Sequence, residues 1–286
     1  MPDPMTASPL LASASPLPEP GRAAEANRVP ALSYFFPAHD EAENIEALVA
    51  EGLRELPAMA ELFEIVCIDD GSRDGTAQIA ERLAAEHPDV VRVVHHGVNR
   101  GYGAAVRSGL AAARYPLVCF TDGDRQFRVA DLASLLRRLA EGHPSGAPAD
   151  VVAGYRIRRA DPPIRLAYAR VYRACLRLFF GLAVRDPDCA CKLFRRSALE
   201  GLRVESGGAF LSAELLIKIG TRGGRIVEQG VPHHPRTAGQ ASGADPRVVA
   251  RAVRDFWALR LRLWANPRRA LRRGAAVLPE EDGAGS

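Results

Sequence analysis

The stretch Leu117-Val118-Cys119-Phe120-Thr121-Asp122-Gly123-Asp124 decides the fold. Four consecutive apolar residues, too few for a helix, read as a short buried strand. The strand ends at an acid-glycine-acid turn. Carboxylates at i and i+2 can converge on one hard divalent cation, which takes oxygen ligands. The glycine between them lets a ligand approach the backbone closely. A second acidic turn, Asp69-Asp70-Gly71-Ser72, closes the apolar strand from Phe63 to Ile68. Two such turns in one chain point to a single nucleotide- and metal-binding face.

Outward from these turns, strand and helix signals alternate. Strands are expected at Ala31–Phe36, Phe63–Ile68, Val90–Val94, Leu117–Phe120 and Asp150–Gly154. Helices are expected at Glu43–Leu56, Ala77–Glu86, Gly103–Ala113 and Leu132–Leu139, with Asp74 or Thr76 capping the second. This alternation specifies an α/β fold with a mostly parallel sheet flanked by helices. Ligands of such sheets sit beyond the carboxyl ends of the strands, where the Pro37, Asp69 and Asp122 turns all fall. Farther on, helices are expected at Ile164–Leu182 and Phe210–Gly220, a strand at Arg225–Gln229, and a loop at Gly142–Pro148.

With 286 residues the chain is long enough for one large domain or two small ones, and 47% hydrophobic content supports a substantial core. No run of about eighteen apolar residues is present, so a membrane-spanning helix is not expected. Residues 1–28, rich in Pro, Ala and Ser, read as a disordered tail rather than a secretory signal. The net charge of +4 is unevenly distributed. Between Arg247 and Arg273 arginines alternate with Val253, Phe256, Trp257, Leu259, Leu261, Leu263 and Trp264, and Asp255 is the only acid. That pattern reads as a C-terminal amphipathic basic helix. It suits an anionic membrane surface and equally an ordinary helix with a basic outer face. No nucleic-acid-binding module accompanies the charge. The five cysteines show neither a paired framework nor a zinc spacing, and read as reduced thiols of a cytoplasmic protein.

Four stretches together resemble a known family: Phe36-Pro37-Ala38-His39-Asp40-Glu41-Ala42-Glu43-Asn44-Ile45, Ile68 through Thr76, Asn99-Arg100-Gly101-Tyr102-Gly103, and Thr121 through Gln126. The chain is similar to family 2 glycosyltransferases of the GT-A fold, and most to the branch of dolichyl- and polyprenyl-phosphate sugar transferases. The resemblance runs from about Ala31 to Gly243. It implies a GT-A domain over 29–243, preceded by the tail and followed over 244–286 by the basic helix and a flexible end.

The resemblance also implies roles. Pro37, Ala38 and Glu41 would lie near the base and ribose of a nucleotide-diphosphate sugar, and Asp69 or Asp70 would accept from the base. Asp122, Asp124 and Gln126 would hold Mg2+ or Mn2+ against the diphosphate, with Gly123 between them. Arg156 and Arg165 match phosphate-binding positions, where the planar fork of arginine suits phosphate oxygens. Arg236, in the late segment His233 through Gly239, matches an arginine that clamps the diphosphate. The residues expected to act directly on the reaction are Asp124 and Arg236.

The implied reaction is metal-dependent, inverting transfer of the sugar to a polyprenyl phosphate by a peripheral protein at the inner face of the plasma membrane. Two alternatives stand beside it: transfer to a soluble or cell-envelope hydroxyl acceptor with Glu214 or a nearby acid as base, and a non-catalytic sugar-nucleotide-binding protein. A phosphate acceptor needs no strong base, because its second pKa of about 6 leaves it largely ionised at neutral pH.

Overall fold

The computed structural model describes residues 28–157, 163–236, 246–266, 271 and 275–278. The expected tail lies outside them except for Arg28. So do Gln240, Ala241 and Ser242, which follow the Arg236 segment.

Seven strands form one sheet in the order β3-β2-β1-β4-β6-β5-β8. They are β1 (Val29–Ala38), β2 (Ala60–Asp69), β3 (Val91–His95), β4 (Leu117–Phe120), β5 (Val151–Arg156), β6 (Lys192–Arg195) and β8 (Ile226–Val231). β1, β2, β3 and β4 are mutually parallel. β6 runs antiparallel to β4 and to β5, while β5 and β8 pair in parallel. The expectation of a mostly parallel sheet therefore holds, with one reversed strand in its middle.

The chain moves from β1 outward to β2 and β3, then returns to place β4 on the other side of β1. Such a reversal opens a crevice at the carboxyl ends of the two central strands. The register sets Ala38 beside Asp69 and Phe35 beside Phe120, so both acidic turns rise from one edge.

The central strands read as unbroken apolar runs because helices cover both sheet faces. Helices α1 (Ala42–Glu55), α2 (Thr76–Glu86), α3 (Tyr102–Ala112) and α4 (Leu132–Glu141) follow their strands in turn. Phe35 stacks on Phe120 at 5.1 Å, and Phe120 on Phe194 of β6 at 6.3 Å. All three rings are fully buried, and burial of a phenylalanine contributes about 1.5–3 kcal/mol. α5 (Pro163–Phe180), α6 (Leu211–Thr221) and α7 (Pro246–Ala265) complete the helices.

Two features depart from the expected layout. β6 falls on Lys192-Leu193-Phe194-Arg195, where no strand was expected, because Lys192 and Arg195 interrupt the apolar pattern. The end of the chain is also less free than expected. β9 (Ala275–Ala276) pairs antiparallel with β7 (Arg203–Val204), the Val277 amide donates to the Leu202 carbonyl, and Val277 and Leu278 are buried.

Candidate active site

The loop after β1 is laced to the loop after β2 by the side chains of the second acidic motif. The Asp40 amide donates to Ser72 Oγ, the Glu41 amide to Thr76 Oγ1 and the Ala42 amide to Asp74 Oδ2. In return Asp40 Oδ1 accepts from the Arg73 amide at 2.7 Å. Asp40 takes a positive φ of 55° to make this turn. Asp74 also accepts from the Thr76 amide at 2.9 Å, but the N-cap of α2 is Gly75, so neither Asp74 nor Thr76 caps the helix as expected.

Asp69 and Asp70 are both buried, and their carboxylates serve different loops. Asp69 accepts from the Ser72 amide at 3.1 Å and pairs with His95 Nδ1 at 3.0 Å. Burial alone would raise its pKa, but the Ser72 and His95 hydrogen bonds outweigh this and hold it below the usual carboxylate value. Asp70 takes three donors: the Arg100 and Gly101 amides at 2.9 and 2.8 Å, and His96 Nδ1 at 2.6 Å. Asp70 is thereby the anchor of the loop that opens α3. His95 and His96 were not singled out from the sequence. Their position at the end of β3, level with the acidic turn, was the available signal.

Gly123 has a structural reason of its own. A Cβ there would sit 2.7 Å from the Pro37 carbonyl oxygen, so it is the backbone of β1, rather than a ligand, that demands glycine. Gly71 likewise carries a φ of 70° and lies against the Val98–Asn99 backbone.

Asp122 and Asp124 differ in their surroundings. Asp124 is buried, accepts from the Gln126 amide at 3.0 Å, and receives Arg236 Nη2 at 2.6 Å. Arg236 also stands 3.8 Å from Glu41 Oε1, so it spans the β1 and β4 loops. Asp122 keeps one buried oxygen, Oδ1, without a hydrogen-bond partner. Burial, and then the Asp124 charge, push its carboxyl up to about 6, against the opposing pull of Tyr102, Lys192 and Arg236. A buried carboxylate oxygen without a donor is costly unless a cation satisfies it.

The donor set fits a hard divalent cation. Asp122 and Asp124 supply carboxylate oxygens. Gln126 donates its amide nitrogen to the His234 carbonyl at 3.2 Å, which leaves its oxygen available to a cation. Two carboxylates with neutral oxygens match Mg2+ or Mn2+, whose remaining positions are completed by phosphates and water. His233 packs its ring edge-on against Phe127 at 5.3 Å, and the His234 amide donates to the Gln126 carbonyl.

Other expected residues take different places. Arg156 binds Asp186 through two hydrogen bonds of 2.6 and 2.9 Å, and so fixes the Asp186–Cys191 segment. The side chain of Arg165, in the first turn of α5, lies outside the described residues. Glu214 is buried and accepts from the Glu205 and Ser206 amides at 2.9 and 2.8 Å, and it pairs with Lys218 at 2.8 Å. It holds a loop and is not placed as a base. Pro37 and Ala38 end β1 as expected, beside Asp69 in the register.

Two residues near the candidate metal ligands had no expected role. Burial and the neighbouring Asp122 carboxylate push up the phenol of Tyr102 at the start of α3. Lys192 is fully buried on β6, opposite Phe120, and donates to the carbonyls of Pro187 and Cys189. Burial lowers its basicity.

The sequence model named Glycosyl transferase family 2 matches residues 33–203. Glycosyltransferase AglD of Haloferax volcanii is 32% identical over 72% of this chain and 33% of its own length. The undecaprenyl-phosphate 4-deoxy-4-formamido-L-arabinose transferase of Pseudomonas fluorescens is 30% identical over 60% of this chain and 48% of its own. The chain thus spans a third to a half of these relatives. Among solved structures, glucosyl-3-phosphoglycerate synthase from Mycobacterium tuberculosis in complex with phosphoglyceric acid superposes with a TM-score of 0.64 at 22% identity, covering 82% of this chain and 81% of the other. The same synthase with Mn2+, UDP-glucose and phosphoglyceric acid gives a TM-score of 0.58 at 24% identity, with 86% of each chain covered.

Proposed function

We propose that this chain, which belongs to glycosyl transferase family 2, moves a sugar from a nucleotide diphosphate to a polyprenyl phosphate in a metal-dependent, inverting reaction. The observation that carries the reading is the unpartnered Asp122 Oδ1 beside Asp124, with Gln126 completing an oxygen-ligand set. Asp122, Asp124 and Gln126 hold Mg2+ or Mn2+ there. The cation, when bound, offsets charge developing on the leaving diphosphate. The synthase of the same fold, crystallised with Mn2+ and UDP-glucose, supports this choice of metal and donor class.

Arg236 already reaches this site from the late loop, and its guanidinium is assigned to the diphosphate. The base and ribose are assigned to the crevice at Pro37, Ala38, Glu41 and the Asp69 turn. Asp70, filled by three donors, is assigned to the scaffold. Arg156 is assigned to orienting the Asp186 segment through their ion pair.

The surroundings of Glu214 support the choice of acceptor. A hydroxyl nucleophile needs a base within hydrogen-bond reach, and the carboxylate expected in that role is bound to two amides and Lys218. A phosphomonoester is already ionised at neutral pH. The undecaprenyl-phosphate sugar transferase among the relatives supports a lipid phosphate. The setting proposed is peripheral, at the cytoplasmic face of the plasma membrane.

The test is metal-dependent release of nucleotide from radiolabelled sugar nucleotides in the presence of polyprenyl phosphate. Label appearing in lipid only with Mg2+ or Mn2+, and lost in Asp124→Ala, supports the reading. Equal transfer to a water-soluble alcohol, or full turnover by Asp124→Ala, overturns it.

A further inference from the structure

Among the described residues, large apolar side chains are exposed chiefly on two helices. α5 exposes Tyr168, Val171 and Leu178. α7 exposes Val249, Val253, Trp257, Leu261 and Trp264, and Trp264 is 76% accessible. Elsewhere only Leu62, Val98 and Ile157 share this exposure.

The spacing is what makes these surfaces rather than scattered residues. On α7 the exposed positions recur at steps of four, four, four and three, which aligns them along one face. A different face of the same helix, carrying Phe256 and Leu259, is buried in the protein. On α5, Val171 and Leu178 lie two turns apart, with the exposed Ala174 between them. α7 thus has an inward apolar stripe, which folding explains, and an outward one, which folding does not. The helices are joined edge to edge by aromatic rings. Phe179 lies 5.8 Å from Phe256 and 5.0 Å from Trp257, and Phe180 lies 4.9 Å from Phe256.

Charge selects the occupant. α5 contains four arginines and no acid, and α7 five arginines and one aspartate. The two helices therefore hold a net charge of +8, while the whole chain is +4. Arg170, Arg177, Arg251 and Arg254 are exposed. A second copy of the chain would bring a like-charged face against this one, whereas an anionic surface with an apolar interior complements both properties. Interfacial helices bury apolar residues at the acyl boundary while arginines meet anionic headgroups, and tryptophan favours that depth.

We propose that α5 and α7 form one docking surface for an anionic lipid bilayer. The inference extends the proposed reaction and rests on it for purpose, because a lipid acceptor must be met at a bilayer. The surface also adjoins the catalytic loops in the chain: α5 follows β5, which ends at Arg156, and α7 follows the segment that carries Arg236.

Both tryptophans of the protein, Trp257 and Trp264, lie on this surface, so intrinsic fluorescence reports on it directly. The full chain is mixed, without nucleotide or metal, with vesicles of phosphatidylcholine alone or with added phosphatidylglycerol. The expected result is co-sedimentation with the anionic vesicles, a shift of emission to shorter wavelength, and quenching by lipids brominated in the acyl chain. Added salt should weaken binding. Leu261→Glu with Trp264→Glu should lower the bound fraction about tenfold or more while the thermal midpoint is retained. Arg251→Glu with Arg254→Glu tests the charge separately. No shift and no sedimentation with either vesicle overturns the proposal. So does a stable dimer whose tryptophans resist an aqueous quencher, since a second copy then covers the face. Vesicle binding without sugar transfer leaves this surface standing and refutes the reaction instead; transfer without vesicle binding does the reverse.

Discussion

Replacing Glu214 separates a scaffold role from a catalytic one. Its carboxylate is 1% accessible and Lys218 is fully buried, so each is the other's counter-ion away from water. Glu214→Ala removes the acceptor of two amide hydrogen bonds and the counter-ion of Lys218, whose ammonium keeps its bond to the Arg203 carbonyl. Hydrogen bonds to a charged group are worth about 1.5–3 kcal/mol each, and breaking one side of a buried ion pair costs about 3–5 kcal/mol. These terms overlap, so the expected loss is about 3–5 kcal/mol. For a domain of this size that lowers the thermal midpoint by roughly 6–20 °C. Removing both charges together, in Glu214→Met with Lys218→Met, should cost less than the sum of the single changes. Below its melting transition, Glu214→Gln should turn over within a few-fold of the parent, because the Glu205–Ser206 loop reaches the site only indirectly. That loop contacts α3 where the Gly103 amide donates to the Gly207 carbonyl, and Tyr102 beside it meets Asp122. Thermal denaturation and turnover are measured on the same preparations. An unchanged midpoint with a loss of turnover of about 10²–10⁴-fold, the usual contribution of a general base, would refute the scaffold assignment and restore Glu214 as a base.

Three further changes probe the site and its frame. Gly123→Ala places a methyl group 2.7 Å from the Pro37 carbonyl; overpacking of this kind costs about 1–3 kcal/mol, and both the thermal midpoint and Mn2+ affinity should fall, so a variant that leaves both unchanged contradicts the close approach. In the metal-free protein the Asp122 carboxyl is pushed up to about 6, so binding a cation must displace its proton at lower pH. Calorimetric Mn2+ affinity should weaken about tenfold per unit as pH falls below that value, and equal affinity at pH 5 and pH 7 argues against Asp122 as a ligand. His95 is raised above its ordinary value chiefly by the Asp69 hydrogen bond. The stability it contributes is complete below about pH 6.5 and is lost as pH rises through the raised folded-state value. Because His95 is more than a third exposed, the effect should stay below about 1 kcal/mol. Denaturant unfolding of His95→Gln should lack that decline, and an identical pH profile in the variant removes the pair from the stability account.

The acidic turns and their strands were legible because a buried parallel strand must be apolar throughout and must end where its ligands sit. Leu117–Phe120 matched residue for residue, and Ala31–Phe36 and Phe63–Ile68 were short only at their ends. Strand β6 was not legible for the opposite reason. Lys192 looks like a surface residue until the Pro187 and Cys189 carbonyls close around its ammonium, and nothing local announces that. The pairing of Arg156 with Asp186 spans thirty residues and depends on β5 and β6 lying side by side. The clip of Ala275–Ala276 on Arg203–Val204 joins segments still farther apart in the chain.

What separates a ligand site from a scaffold in this protein is where the donors lie, not how acidic the sequence is. Asp40, Asp69, Asp70 and Asp74 sit in motifs as rich in carboxylates as Asp122-Gly123-Asp124. Yet each of the four accepts backbone amides, and the loops around the crevice are tied by those bonds. Asp70 holds Arg100 and, together with Asn99 Oδ1, Gly101 in place, which sets the start of α3 and with it Tyr102. Asp122 is the exception, with a buried oxygen that the fold leaves without a donor. Asp124 is met on one side by its own turn and on the other by Arg236, a cation from a distant loop. Four carboxylates are held by amides, Asp124 shares its amide with an arginine, and Asp122 keeps an oxygen with no donor. On the proposed reading, a cation at Asp122 and Asp124 and a phosphate chain at Arg236 would complete what the backbone does not.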